Sequence, residues 1–330
     1  MNTSAKHAII KDSNRGHWVN RAPLSLRPYL QLSRLDRPVG YWLLTLPGWI
    51  GLAFATLSFG FAGTDLKWAA LILIGAIAMR GAGCTYNDIV DQDLDAQVDR
   101  TALRPLPAGT VTNKQAWIWL FAQCFVGLIV LLCLPRLAQI ISLCSIPLVA
   151  AYPFMKRITW WPQLWLGLTF NWAVLVAFAA KTGEINNAPL LLYAGLIFWT
   201  VGYDTIYACQ DTEDDALIGV KSTARRFGNY IKRGVFVCYG LSIVLMGMAI
   251  FSQATNKIAI IFLCLPFCIH LITQVKALRP ESSEVSLKIF KSNKSAAILL
   301  IGGLLLATAF HYAQIYGWLS FTDTDLSVFE

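Results

Sequence analysis

Apolar residues run along this chain in long blocks that are almost free of charge, separated by polar segments of unequal length. Nine blocks fall at about 40–61, 68–86, 115–134, 137–154, 161–180, 188–207, 233–252, 258–277 and 296–317. Each is close to the roughly 20 residues that a helix needs to cross a hydrocarbon core. None alternates with the two-residue period of a barrel strand. Backbone groups inside lipid must be satisfied within their own segment, so each block predicts a helix. The fold class is all-α, a polytopic membrane protein with nine transmembrane helices. Composition agrees: 56% of the residues are hydrophobic and 14% are charged, against roughly a quarter charged in a soluble domain.

The polar segments predict the topology. The long ones, 87–114, 208–232 and 278–295, all fall on one side, together with the N-terminus. The opposite side holds only Lys67, Arg136, Lys181 and Lys257, leaving 27 − 4 = 23 basic residues on the crowded side or at its helix ends. That bias is the positive-inside pattern. It accounts for the net charge of +8 without nucleic acid as a partner. The expected location is a cell inner membrane with the polar loops on the cytoplasmic face, or the mitochondrial inner membrane with those loops on the matrix face. Residues 1–27 form a polar, basic tail without the apolar core of a signal peptide. A transmembrane domain is expected over 28–318, and residues 319–330 are an acidic tail. The eight cysteines are scattered without a CxxC pair and read as small packing hydrophobes.

Two segments on the crowded side carry most of the acid. In NDIVDQDLDAQVDR, residues 87–100, Asp88, Asp91 and Asp95 recur at i, i+3 and i+7, with Asn87 at the edge of the stripe. In YDTIYACQDTEDDALIGVKSTARRFG, residues 203–228, Asp204, Asp211 and Asp215 recur at i, i+7 and i+11. Both spacings place the carboxylates on one side of a helix. So many carboxylates repel one another unless cations offset them. Mg²⁺ prefers oxygen ligands and often binds through one or two carboxylates plus substrate phosphates. Two facing clusters therefore suit a diphosphate bridged by magnesium. Arg100 and Arg104 follow the first cluster, and Lys221, Arg225 and Arg226 follow the second. They suit the remaining phosphate oxygens, the arginines as planar forks and the lysine as a point charge. An EF-hand is excluded, because DQDLDAQVDRTA lacks the central glycine. A solvated acidic loop explains one cluster but not two on one face. His270 and His311 lie in apolar blocks without partners at ligand spacing and read as packing.

The segment Asn87-Asp88-Ile-Val-Asp91-Gln-Asp-Leu-Asp95 resembles the NDxxDxxxD signature of the UbiA-type intramembrane prenyltransferases. YDTIYACQDTEDD at 203–215 resembles their second signature, continued by KSTARRFG at 221–228. RLDRPVGYWLLTLPGW (34–49), RPLPAG (104–109), YPFMKRITWWPQLWLG (152–167) and TFNW (169–172) resemble blocks of the 4-hydroxybenzoate polyprenyltransferase branch. The likeness covers about residues 28–318.

The resemblance implies nine helices around a central cavity, capped by the acidic loops. It implies transfer of a prenyl group from polyprenyl diphosphate to the ring carbon ortho to the hydroxyl of 4-hydroxybenzoate, in ubiquinone synthesis, with Mg²⁺ as cofactor. Asn87, Asp91 and Asp95 match the first magnesium–diphosphate set. Asp211 and Asp215 match the core of the second, with Asp204 at its start; Asp88 matches the signature without an assigned contact. Asp91, Asp95, Asp211 and Asp215 are the expected catalytic carboxylates. The acceptor's carboxylate needs a cation or an amide, for which Arg34, Lys156, Arg157 and Asn171 are the candidates. The prenyl tail calls for an apolar groove open to membrane lipid. A prenyltransferase acting on another aromatic, quinone or haem precursor is the nearest alternative. A transporter would gather its polar groups near mid-membrane, whereas here they collect at one face.

Overall fold

The computed structural model of the chain describes residues 16–97, 101–217 and 219–315, without the side chains of 213–215. Arg100 and the acidic tail 319–330 lie outside the described residues, as does most of the N-terminal tail. The helices are α1 (Arg27–Leu32), α2 (Val39–Phe59), α3 (Asp65–Val90), α4 (Gln92–Asp95), α5 (Asn113–Leu132), α6 (Arg136–Cys144) and α7 (Ile146–Ile158). They continue as α8 (Pro162–Thr182), α9 (Asn187–Ala208), α10 (Thr212–Leu217), α11 (Thr223–Phe227), α12 (Ile231–Gln253), α13 (Lys257–Ala277) and α14 (Ser283–Ile315). Among the described residues there is no strand, and nine helical segments are long and apolar enough to cross a membrane.

Local chemistry sets the ends of these helices. Thr112 and Gln115 form a reciprocal capping box at the start of α5, while Asn186 and Asn256 cap α9 and α13 through their side chains. Such caps satisfy amide protons that have no partner within the helix. Gly183 closes α8 in the left-handed conformation, φ 76°, which glycine adopts without a Cβ penalty. The fourth span is interrupted at Ser145 and resumes with Pro147 in the first turn of α7.

The spans differ widely in burial. α2, α8 and α9 are mostly buried, whereas α5, the α6–α7 span and α13 present most of their residues outward. Phe121, Phe125, Ile261 and Phe262 are among the exposed apolar side chains. An apolar surface of that extent belongs in hydrocarbon. The buried helices approach closely where glycine removes the side chain. A Cβ on Gly51 would sit 2.7 Å from the carbonyl oxygen of Val174, and one on Gly195 would sit 2.4 Å from Met246. Small residues at such crossings let helix backbones pack where lipid supplies no hydrophobic drive.

Three expectations from the periodicity change. α3 ends at Val90 and α4 begins at Gln92, so the first acidic stripe contains a break at Asp91. The backbone bonds Asp91 N–H to Asn87 and Asp95 N–H to Asp91 carry the register across it. α9 ends at Ala208, so Asp204, Asp211 and Asp215 do not share one continuous helix. The segment 278–295, expected to be a polar loop, is largely the first part of α14.

Candidate active site

One large cavity, about 1170 Å³, opens among α2, α3, α5–α9 and α14. Its polar end is built by Arg34, Asn87, Arg104, Asp204, Gln210 and Lys291. From there the walls become apolar, through Met79, Phe170 and Ala173 toward Leu134, Ala180 and Trp68. The distribution follows from the sequence: the acidic segments begin where α3 and α9 end, and the cavity follows the apolar bodies of those and neighbouring helices. Polar groups at one end of a concave apolar site orient a ligand whose bulk lies along the walls.

In the first acidic segment, most of the negative charge is already offset by cations from other elements. Asp91 is almost fully buried and accepts from Lys156 Nζ at 2.6 Å and Arg157 Nη2 at 2.8 Å, both from the C-terminal turn of α7. Asp95 accepts from Arg104 Nη1 at 2.7 Å. Burial pushes its carboxyl above the ordinary carboxylate range; Arg104 opposes the shift and Asp88 adds to it. Asp88 has no exposed surface and accepts from Arg34 Nη2 at 2.5 Å. Burial opposes charge on Arg34, but Asp88, assisted by Cys84 and Asp36, carries its pKa above the usual arginine value. Asn87 alone of the signature's polar side chains is part of the cavity wall.

The second segment is arranged differently. Asp204 lines the cavity directly from the end of α9, with Arg80 and Asp211 as its charged neighbours. Asp211 is half-buried in the turn after α9, and Asp215 lies within α10, where its side chain is outside the described residues. Tyr152 of α7 also lines the cavity, and its charged neighbours include Asp204, Arg80 and Asp91. The two acidic segments therefore meet at one end of one cavity.

The expected cations separate into two groups. Arg104 lines the cavity, but Lys221 and Arg225 do not. Lys221 Nζ donates to the Ile158 carbonyl at 3.1 Å, and its backbone N–H donates to the Lys156 carbonyl. Arg225 donates to the Val220 carbonyl and lies over the Trp160 ring at 5.4 Å. Lys221 fastens the loop before α11 to the end of α7, and Arg225 of α11 packs on the turn that follows α7. The four residues expected at the acceptor's carboxylate do not converge. Arg34 lines the cavity beside Arg104, while Lys156 and Arg157 clasp Asp91. Asn171 is fully buried between α8 and α9, donating to the Gly167 and Leu196 carbonyls and to Thr200.

Arg80 is the principal residue that sequence reasoning missed. It lines the cavity from the body of α3, its guanidinium lies 5.3 Å from the Phe170 ring, and its Nε is buried without a hydrogen-bond partner. Its signal was an arginine inside an apolar block, a functional mark by default in a membrane span. Lys291 also lines the cavity. It comes from the polar segment 278–295, whose composition carries no signal of a site.

Among the described residues, no group of three or more His, Cys, Asp or Glu stands ready to hold a metal ion. The donors still suit Mg²⁺, because both segments offer hard oxygen ligands at the cavity's polar end. This ion is commonly held by one or two carboxylates per site, completed by phosphate and water.

A model of the UbiA prenyltransferase family matches residues 44–301. The chain belongs to this family of membrane prenyltransferases. It is 41% identical over 300 residues to the mitochondrial 4-hydroxybenzoate polyprenyltransferase of Rattus norvegicus, covering 88% of this chain and 78% of that protein. The Homo sapiens protein of the same name is 42% identical over 293 residues, covering 87% and 77%. The fold is similar to that of a UbiA homolog from Aeropyrum pernix K1 in its apo form, at TM-score 0.67 and 22% identity, covering 81% of this chain and 98% of that one. A UbiA homolog from Archaeoglobus fulgidus bound to GPP and Mg²⁺ gives TM-score 0.66 at 18% identity, covering 86% and 99%.

Proposed function

We propose that this protein transfers a polyprenyl group from its diphosphate to the ring carbon ortho to the hydroxyl of 4-hydroxybenzoate, with release of diphosphate, in ubiquinone synthesis. The observation that carries the reading is the single cavity, polar where the two acidic segments meet and apolar along its length. Such a site matches a donor with an anionic head and a hydrocarbon tail. The names of the relatives supply the acceptor. Of the two expected locations, the word mitochondrial in those names favours the second; the inner membrane and its matrix face follow from our reading of the basic residues as the positive-inside pattern.

Asn87, Asp91 and Asp95 on one side, and Asp204, Asp211 and Asp215 on the other, are the residues that would hold Mg²⁺. The ion supplies neutralisation of the charge growing on the departing diphosphate. Lys156 and Arg157, which clasp Asp91 in this structure, stand close enough to that carboxylate to turn toward phosphate oxygens. Arg80 fits the acceptor's carboxylate, being a guanidinium in the cavity wall beside the Phe170 ring. Loss of diphosphate leaves an allylic cation, which the ring carbon ortho to the phenol oxygen attacks before losing its proton. The apolar walls exclude water, which would otherwise capture the cation.

The test supplies purified protein with Mg²⁺, 4-hydroxybenzoate and polyprenyl diphosphates of several lengths, and identifies products by mass spectrometry. The expected product is the 3-prenylated acid. A protein that releases no diphosphate, or that prenylates a different aromatic in preference, overturns the reading.

A further inference from the structure

Asp88 belongs to the acidic signature yet is not part of the cavity wall. Its side chain has no exposed surface, and its Oδ2 is buried without a hydrogen-bond partner. The other oxygen, Oδ1, accepts from Arg34 Nη2 at 2.5 Å and lies 3.5 Å from Arg104 Nη1. Both arginines line the cavity's polar end. Two guanidinium groups so close together repel one another, and the carboxylate between them offsets that repulsion.

The surroundings hold this arrangement in place. Arg34 has φ 55°, the only positive φ of a non-glycine among the described residues. This left-handed region is sparsely populated by L side chains and persists where neighbouring contacts over-determine it. Here Arg34 Nη1 donates to the Gln31 carbonyl at 3.3 Å. The preceding Ser33 bonds to Trp119 and Gln123 of α5, at 2.8 and 3.1 Å. Arg104 is braced from a second direction by Asp95 at 2.7 Å, and its Nε has no partner.

We propose that Asp88 is a positioning residue that holds Arg34 and Arg104 side by side as a two-guanidinium fork for the diphosphate of the prenyl donor. The inference rests on the prenyltransferase reading above; it keeps Arg104 at the phosphates and adds a role for Asp88 and a new one for Arg34. It moves Arg34 from the acceptor's carboxylate to the donor's head. It gives Asp88, which carried no assigned contact, a role outside the metal ligands. Planar guanidinium forks suit phosphate oxygens, and prior alignment lowers the ordering that binding requires.

The test compares Asp88→Asn, Arg34→Met and the double variant in the full chain. Three quantities are measured: binding of geranyl S-thiolodiphosphate with Mg²⁺ by calorimetry, binding of Mn²⁺ alone by electron paramagnetic resonance, and the two substrates' KM values. Asp88→Asn is expected to weaken thiolodiphosphate binding fivefold or more. It should leave Mn²⁺ affinity and the 4-hydroxybenzoate KM within twofold of the parent. The double variant should bind within twofold of the weaker single variant, since residues acting as one unit are non-additive. Asp88→Asn leaves Arg34 as a buried, unpaired charge and is at risk of unfolding. In that event Arg34→Met is compared with the double variant, which removes both partners. A further loss of Mn²⁺ affinity of fivefold or more in the double variant would make Asp88 a metal ligand and overturn the proposal. So would multiplicative losses, thiolodiphosphate binding weakened by less than fivefold in each foldable variant, or a rise confined to the acceptor's KM. If the parent binds thiolodiphosphate but prenylates no 4-hydroxybenzoate, the acceptor reading fails while the binding measurements still decide this one.

Discussion

The two acidic segments look alike along the chain but meet the cavity in different ways. In the first, Asp88, Asp91 and Asp95 are buried and each is clasped by at least one arginine or lysine from outside the segment's own helical turns. Only Asn87 of that signature faces the cavity. In the second, Asp204 is itself part of the cavity wall, and the chain leaves the helix four residues later. The first segment is thus electrostatically offset before a ligand arrives, and metal binding there must loosen existing ion pairs. At the second, a carboxylate already stands at the cavity surface.

The largest expected effect would break the comparison if it failed on either side. Asp91→Asn and Asp211→Asn, made separately, should each lower single-turnover rates at least about a hundredfold, the scale seen when one electrostatic stabiliser is removed. Chelation of divalent metal should abolish turnover, and Asp323→Asn in the acidic tail should leave it unchanged. Rates measured across Mg²⁺ concentrations would show whether mass action restores either variant. Near-parental rates at low Mg²⁺ would remove that carboxylate from the ligand set.

The next effect concerns the space between the segments. Arg80→Met should raise the KM for 4-hydroxybenzoate by about ten- to a hundredfold, the range for a hydrogen bond to a charged group. The donor's KM should stay within about threefold, a difference small on the free-energy scale. The reverse pattern would place Arg80 at the diphosphate and leave the acceptor's carboxylate without its cation.

A smaller effect sharpens the contrast directly. Lys156→Met removes a cation from Asp91, so Mn²⁺ measured without donor should bind about tenfold more tightly, while the donor's KM rises. A tenfold change corresponds to about 1.4 kcal/mol, well below the Coulomb interaction of a bare pair because Lys156 is partly solvated. Unchanged Mn²⁺ affinity would mean that the clasp does not oppose metal at all.

The smallest effect on catalysis is expected at the far end of the bundle. Lys181 Nζ bonds both oxygens of Asp65 at 2.6 Å, tying the end of α8 to the start of α3. Lys181→Met should keep the rate within about twofold while lowering the melting temperature, since breaking a largely buried pair costs about 3 kcal/mol. A strong loss of rate in a variant that melts normally would extend the active site across the membrane.

Most of the fold was legible because hydrocarbon imposes a length and a polarity that single segments must meet alone. All nine spans were placed from the sequence. The misreadings occurred at their ends. α14 begins at Ser283, inside a segment whose Lys, Ser and Glu content looked like loop, because a helix can project from the membrane with polar side chains. The breaks at Asp91 and Ser145 were likewise missed, since a helical stripe reads the same whether or not a turn interrupts it. Asn171, expected at the acceptor, is instead bonded within the α8–α9 contact.

By itself, the sequence determined the number of spans, the crowding of charge at one face, and the pair of acidic segments with the chemistry they suit. Those properties are local: they depend on the length, polarity and spacing of residues within one helix or one loop. Tertiary structure decided which of those polar groups reach the cavity and which are held behind it. It sent Asn87 to the cavity wall and Asp88 into protein. It also joined Asp88 to Arg34 and Asp91 to Lys156 across 54 and 65 residues of chain. Helical periodicity specifies the face a side chain occupies, but the element packed against that face comes from the assembly of all the spans. Partnerships between distant charges, and the orientation of Arg80 into the cavity, depend on that assembly.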